Sequence, residues 1–481
     1  MISTIVFMTA ANILVAVSGL LRELVIANIY GTSLVADHFL TSYLIVEEFN
    51  NILFIGLIFG LFSYIKKIEN SHDVFHFLIK LIIYITPFIF FTSSLFFFGF
   101  DGANLFISKN IYTENFSLIS NYSSPAFLIG LINSILACYL LYKEKYFIAL
   151  FSKAINYIFL SILLLINPEP LNGLYLGSII SFSYIIQTLF LISFVIDHQF
   201  SLKNILSLEI RIFEVVKYSS PWLLQPILVP FLGNIFGRFL MSEFDSGYIS
   251  SVNYASKLLN LMNNLTFSII LVGFIDTISK SNKMIEHRKS ISNSLIRVIF
   301  TTIPFSFFCC FYSYEIISFL FQRGSFDITS VELTSTAFYI FSLSLFPGVF
   351  YGYFSRIIGN IKGAKYLNLL IILQFIIYLT AMLLFIDDFQ GYIMPYGYLV
   401  CTTVLSVIIL IFYNRELIPN SFYLNFLTCI VLSSSLFISE IISEYLSLGI
   451  LLKLIFSFCT IFIANGIFIF LNKETRHAFS K

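Results

Sequence analysis

Long apolar runs recur along this chain at the length a lipid bilayer demands. A helix needs about 20 mainly apolar residues to cross the hydrocarbon core. Fourteen runs of that order stand between charged or Pro/Gly-rich breaks, at approximately 3–29, 37–65, 76–100, 119–142, 146–166, 174–197, 219–240, 249–275, 295–322, 333–355, 366–387, 391–413, 419–438 and 446–471. In hydrocarbon, backbone N–H and C=O groups must be bonded within a helix or a closed barrel. The alternation of lipid-facing strands is missing, so an all-α, polytopic membrane protein of about 14 transmembrane helices is expected. Of the 481 residues 58% are apolar and 11% charged, against about 25% charged in soluble domains. So little polar surface excludes a soluble enzyme, a nucleic-acid binder with a basic face and a disordered scaffold.

Basic residues are distributed unevenly. Eighteen lie in the connections after even-numbered runs and in the tail, whereas the odd-numbered connections hold only Lys109 and Arg323. Basic loops stay on the cytoplasmic side, which places both termini in the cytoplasm. No basic n-region or small-residue cleavage site accompanies the first run, so no cleaved signal is expected. Cys138, Cys309, Cys310, Cys401, Cys429 and Cys459 all fall inside apolar runs without CxxC spacing or a nearby His. They are expected to pack as small apolar residues, not as metal ligands or disulfides. No His pair, nucleophile elbow, P-loop or acidic cluster stands in a catalytic setting. Neither catalysis, a cofactor nor a metal is therefore expected.

Two halves of the chain look related. Lys143-Glu144-Lys145-Tyr146 near the end of the fourth run is echoed by Lys362-Gly363-Ala364-Lys365-Tyr366 after the tenth, and Gly31 by Gly247, at offsets of 220 and 216 residues. Parallel repeats of six helices, 1–217 and 218–413, are expected to form two lobes with cargo between them. Residues 414–481 then hold two additional helices and a cytoplasmic tail.

Seven basic residues fall within the runs, and an ionisable group there is costly unless it meets a cavity or a partner. Lys80, Lys153, Arg297 and Lys453 lie near run ends, where snorkelling to headgroups is expected. Arg22, Arg238 and Lys257 belong to runs one, seven and eight, on both walls of the expected cleft. Guanidinium donors match phosphate oxygens, so this trio suits an anionic head such as a diphosphate, with snorkelling open for Arg238. Glu47 and Glu48 sit near the middle of run two. Proton-coupled transport and a plain buried carboxyl are both open for them. Asn50, Asn51, Asn234, Asn253, Asn260, Asn263 and Asn264 fit interhelical hydrogen bonds or cargo contacts. Pro221, Pro226 and Pro230 each remove a helix donor from run seven and favour bending, either as a static kink or as a flexing segment.

Three blocks carry a family resemblance. Gly19-Leu20-Leu21-Arg22-Glu23, followed by Ala27-Asn28-Ile29-Tyr30-Gly31 and Asp37, resembles the opening signature of the MurJ/MviN lipid II flippases. Asn253-Tyr254-Ala255 with Lys257 is similar to the family's Tyr-Ala-Asp-Arg stretch in helix eight. Leu320-Phe321-Gln322-Arg323-Gly324-Ser325-Phe326 resembles its L-F-x-x-G-x-F loop. The likeness extends over most of the first 370 residues. It implies a multidrug/oligosaccharidyl-lipid/polysaccharide exporter fold that carries an undecaprenyl-diphosphate-linked glycan across the bacterial inner membrane by alternating access, driven by a coupling ion or the membrane potential. Arg22 and Asp37 carry over directly, and Lys257 keeps the charge of the family's arginine. Together with the polar residues inside the runs, this gives a candidate substrate-binding set of Arg22, Lys257, Asp37, Arg238, Asn50 and Asn253, with Glu47 and Glu48 as candidate coupling residues. Ala16 and Asn50 stand where cavity arginines are usual, Ile55 where an acid is common, and Met262 and Ala364 in place of prolines. These departures remove two positive charges from the cleft and leave room for another glycan, such as an O-antigen repeat unit. A cation-coupled multidrug exporter of the same fold is the other transporter reading. A membrane glycosyltransferase or polymerase needs catalytic residues, usually in a larger loop than any present here.

Overall fold

The computed structural model describes residues 2–65, 77–84, 86, 87, 90, 91, 114–166, 172–195, 224, 227–278, 284–362, 364–417 and 421–479. Among the described residues every regular element is helical. Nine helices there are long and apolar enough to cross a membrane, or ten if Ile328–Leu343 and Leu345–Ile358, bent by 45°, form one span. The chain is an all-α polytopic membrane protein. Of the other expected runs, 37–65 and 249–275 fall within helices Leu34–Ile65 and Tyr248–Ile278. Residues 76, 85, 88, 89 and 92–100 of the run at 76–100, and 219–223, 225 and 226 of the run at 219–240, lie outside the described residues, Pro221 and Pro226 among them. Pro230 sits in a π-helical segment, Ile227–Gly233, that leads directly into helix Asn234–Met241. A proline removes one backbone donor, and the wider π turn is a common way to absorb it.

The chain divides into two compact units. The first comprises Met1–Ser250, Ala364–Ile376 and Ile386–Met394, and the second Ser251–Gly363, Ile377–Phe385 and Pro395–Lys481. In the first, helix α1 (Ile2–Tyr30) runs along α5 (Tyr146–Ile166). Helix α6 (Gly173–Ser193) packs on α3 (Glu114–Ser123), α4 (Pro125–Tyr142) and α5, while α2 (Leu34–Ile65) lies against α3 and α4. Ser124 separates α3 from α4, and Pro125 opens α4 where a missing N–H leaves no helix bond unmade. Gly173 and Gly177 bring α6 close to α3: a Cβ there would stand 2.6 Å from the Asn115 carbonyl oxygen and 2.5 Å from that of Ile119. Small residues at such contacts are how membrane helices gain packing, because lipid tails are as apolar as leucine. Buried amides cross-link the bundle. Asn133 Nδ2 donates to the Tyr184 carbonyl at 3.1 Å, Thr188 Oγ1 to Asn133 Oδ1 at 2.7 Å, and Asn156 Nδ2 to Ser183 Oγ at 3.1 Å.

In the second unit, α7 (Met284–Phe311) packs on α8 (Ile328–Leu343), α9 (Leu345–Lys362), α10 (Phe422–Ser433) and α11 (Ile450–Leu471). Two basic residues expected to snorkel here are held by protein partners instead. Lys453 Nζ lies 2.6 Å from Glu440 and 3.4 Å from Glu315, and Tyr312 Oη donates to Glu440 at 2.5 Å. Arg297 Nε donates to the Ala478 carbonyl at 2.6 Å. Each pairing offsets the cost of removing a cation from water. Two motif blocks meet as one aromatic cluster: the Tyr254 ring centroid lies 5.6 Å from that of Phe321 and 5.8 Å from that of Phe326, with Gly324 supplying φ +56° in the turn between the two phenylalanines. The outward sides of the helices stay apolar, as at Leu383 and Phe470, 53% and 67% exposed.

Asp327 caps α8 from outside the span. It accepts from the Ser330 N–H at 2.8 Å, from Ser330 Oγ at 2.7 Å and from Thr329 Oγ1 at 2.8 Å. These bonds, the Ser330 N–H first, favour the carboxylate and hold its pKa below the ordinary aspartate value. The cap's contribution is whole above pH about 4 and is lost as the pH falls through the depressed native pKa. Asp327→Ala is expected to cost about 1 kcal/mol of stability at pH 7. Thermal unfolding in detergent should show its gap to the parent closing under acid.

Candidate functional site

Helices α1, α2, α4, α5 and α6 of the first unit surround a cavity of about 290 Å³. Its lining follows from helical periodicity. On α2, Tyr43, Glu47, Asn50 and Asn51 share one side; on α5, Lys153 and Tyr157 stand one turn apart, as do Ser152 and Asn156. Helix α6 contributes Tyr184 and Gln187, and α4 contributes Asn133.

Charge at this site is matched within the unit. The Tyr157 hydroxyl donates to Glu47, which also lies 3.9 Å from Lys153 Nζ and 4.0 Å from Arg22 Nη1. Lys153 Nζ donates to Asn51 Oδ1 at 2.7 Å. Behind the cavity Arg22, 1% exposed, is ion-paired with Glu23. Its guanidinium lies over the Tyr43 and Tyr157 rings, 4.2 and 4.7 Å from their centroids. Two carboxylates and two ring faces thus enclose one guanidinium, a combination that compensates a buried cation. Arg238 is buried as well and interacts electrostatically with Glu23, Asp37, Glu48 and Glu47. Glu48 accepts from Asn51 Nδ2 and Asn234 Nδ2, each at 3.3 Å.

The sequence-expected residues therefore fall into separate groups. Glu47 and Asn50 line the cavity, with Arg22 behind it. Asn253 is buried and Lys257 half-buried, both in the second unit. Lys153 lines the cavity and bonds to Asn51, not to headgroups. The signal for it was present, since Ser152, Lys153, Asn156 and Tyr157 form a polar patch at helical spacing in an otherwise apolar run.

Asp37 does different work. Its Oδ2 accepts from the Gly247 N–H at 2.6 Å and its Oδ1 from the Ser250 N–H at 2.7 Å. It thereby satisfies two donors at the start of helix Tyr248–Ile278, where no intrahelical acceptor exists. Gly247 has φ +99°, and a Cβ there would stand 2.6 Å from the Thr32 carbonyl oxygen, so only glycine fits. Asp37→Ala leaves two buried donors without an acceptor and is expected to cost about 1–3 kcal/mol. Asp37→Asn, which keeps one acceptor oxygen, should cost less. Thermal unfolding of the purified protein in detergent checks the order.

Comparison with known proteins follows from this geometry. No curated protein matches the sequence. Among solved structures, a lipid II flippase MurJ in an inward closed conformation superposes with a TM-score of 0.82 at 18% identity, covering 96% of this chain and 99% of that one. An inward-facing multidrug resistance MATE family transporter of the MOP superfamily gives 0.66 at 11% identity, covering 84% and 94%. A eukaryotic MATE transporter gives 0.56 at 12%, covering 86% and 96%. At such identities these likenesses establish the fold. The sequence model of the family described as "Lipid II flippase MurJ" matches residues 26–468, and the chain belongs to that family.

Proposed function

We propose that the chain translocates an undecaprenyl-diphosphate-linked glycan, a lipid II-like peptidoglycan precursor, across the bacterial inner membrane by alternating access. The observation that carries this reading is family membership across residues 26–468. The cavity supports it: a hydrophilic head crossing hydrocarbon needs polar groups inside a bundle that is apolar outside, and the first unit supplies them. The resemblance to multidrug transporters concerns the fold.

In this reading the protein has 14 spans, a six-helix lobe at 1–217, a second at 218–413, and two further helices with the tail at 414–481. Both termini face the cytoplasm. No bond of the cargo is broken, so the residues bind and release without catalysis. Lys257 and Arg22 serve the diphosphate, with Arg238 in support. Arg22 does so from a paired state: Glu23 and Glu47 hold its charge, while its Nε and Nη1 make no hydrogen bond among the described residues. Asn50 and Asn253 face the cargo. Asp37 contributes by ordering the helix start it caps. A coupling ion or the membrane potential drives the cycle, with Glu47 and Glu48 as the coupling carboxyls. Cargo shifts the conformational equilibrium only by its difference in affinity for the two states.

The test is translocation of undecaprenyl-diphosphate-linked sugars in proteoliposomes. The parent protein should flip them, and Lys257→Ala should lower the rate about tenfold or more, the loss of one charge-assisted contact. Efflux of cationic dyes with no translocation of the lipid would overturn the reading in favour of the multidrug exporter.

A further inference from the structure

The second unit carries a charge cluster that the cargo reading leaves unused. Lys453 Nζ lies 2.6 Å from Glu440 and 3.4 Å from Glu315, so two carboxylates share one ammonium. Glu444, one turn beyond Glu440 on the same side of helix Ser435–Tyr445, is exposed and adds a third acid. The cluster is held in place from below. Tyr312 is fully buried; its hydroxyl donates to Glu440 at 2.5 Å and stands 2.7 Å from Ser457 Oγ, and its ring centroid lies 5.6 Å from Lys453 Nζ. Glu440 is thereby bonded at both oxygens. Glu315 is not: among the described residues its one partner is Lys453, at a distance too long for a strong bond. The cluster also opens outward, since the side chains of Lys453, Glu440 and Glu315 are 17%, 23% and 25% exposed.

Its depth says what covers it. Helix Ser435–Tyr445 completes the apolar span Phe422–Tyr445, and α11 begins the next span at Ile450. Glu440 and Lys453 lie near these ends, about 8 and 5 Å along the helix axes from Tyr445 and Ile450. Spans of 24 and 22 residues slightly outrun a hydrocarbon core of roughly 30 Å. The cluster therefore sits at the boundary between acyl chains and headgroups. Around it Tyr314, Tyr445, Phe437, Ile441 and Leu451 are exposed. Tyrosines are enriched at headgroup level, and apolar side chains beside them form a surface that lipid covers.

We infer that this cluster binds the headgroup of an aminophospholipid, with the primary ammonium taken by Glu315 beside Glu440 and the phosphate answered by Lys453. At the margin of hydrocarbon a surplus carboxylate is costly unless a cation meets it. A primary ammonium brings one positive charge and three N–H donors, as lysine does, and charge-assisted bonds are roughly twice as strong as neutral ones. A choline headgroup has the charge without the donors, and a glycerol headgroup has donors without the charge. Lys453 spends two of its donors on Glu440 and Glu315, which leaves one for the phosphate. The site is independent of the flippase reading, because it takes a lipid of the surrounding bilayer and not the cargo.

The experiment offers the full-length protein, freed of lipid in detergent, equal amounts of phosphatidylethanolamine, phosphatidylcholine and phosphatidylglycerol with identical acyl chains, and counts the lipids retained by native mass spectrometry. Phosphatidylethanolamine should be retained about tenfold or more over the other two, the worth of one charge-assisted bond. Glu315→Gln should bring the three lipids to parity. Glu440→Gln, whose amide oxygen still accepts from Tyr312, should do the same, and it decides should Glu315→Gln fail to fold. Glycerophosphoethanolamine, the same headgroup without tails, should displace little of the bound lipid. Equal retention of the three lipids by the parent protein overturns the inference, as does a preference that survives in the folded variants. Full displacement by the tailless compound overturns the lipid assignment in favour of a soluble amine.

Discussion

Arg22 cannot reach water. At 1% exposure within a membrane-spanning bundle it must find its compensation inside the first unit, and it does so in Glu23, Glu47 and the faces of Tyr43 and Tyr157. Leaving such a charge uncompensated costs several kcal/mol, so the surrounding helices are constrained to deliver these partners. Helix α1 supplies Arg22 and Glu23, α2 supplies Tyr43 and Glu47, and α5 supplies Tyr157. Their packing and their charge balance are one requirement. The cavity adjoins this cluster: Asn50 and Asn51 follow Glu47 by about a turn on α2, and Ser152 and Lys153 precede Tyr157 by about a turn on α5.

Matching a buried cation with carboxylates from the same unit is not confined to Arg22. In the second unit the same physics has a structural use, in Lys453 between Glu315 and Glu440.

Much of the architecture is legible in the sequence because lipid imposes a simple rule on length and polarity. The run at 146–166 is helix Tyr146–Ile166, and Pro125 marks the break between α3 and α4. What the sequence does not display is the neighbour. Lys153, Arg297 and Lys453 sit near run ends, where depth alone suggests headgroups, yet each meets a protein partner from a distant part of the chain. Arg22 and Glu23 are adjacent, and adjacent helical residues diverge by roughly 100°, so their pairing is not anticipated from spacing. It arises where the Arg22 guanidinium, lying over the Tyr43 and Tyr157 rings, also reaches Glu23. The aromatic contact of Tyr254 with Phe321 and Phe326 joins two motif blocks far apart in the sequence, and only the fold displays it.

The claim on which the rest depends is that Arg22 and Glu47 act on each other, not each on something else. A double-mutant cycle with Arg22→Met, Glu47→Gln and the pair of changes together, read by unfolding of the purified protein in detergent, measures that directly. Each single change should be destabilising and the double change less so than their sum, giving a coupling energy of about 1–3 kcal/mol. Additive losses, with no coupling, would contradict the account.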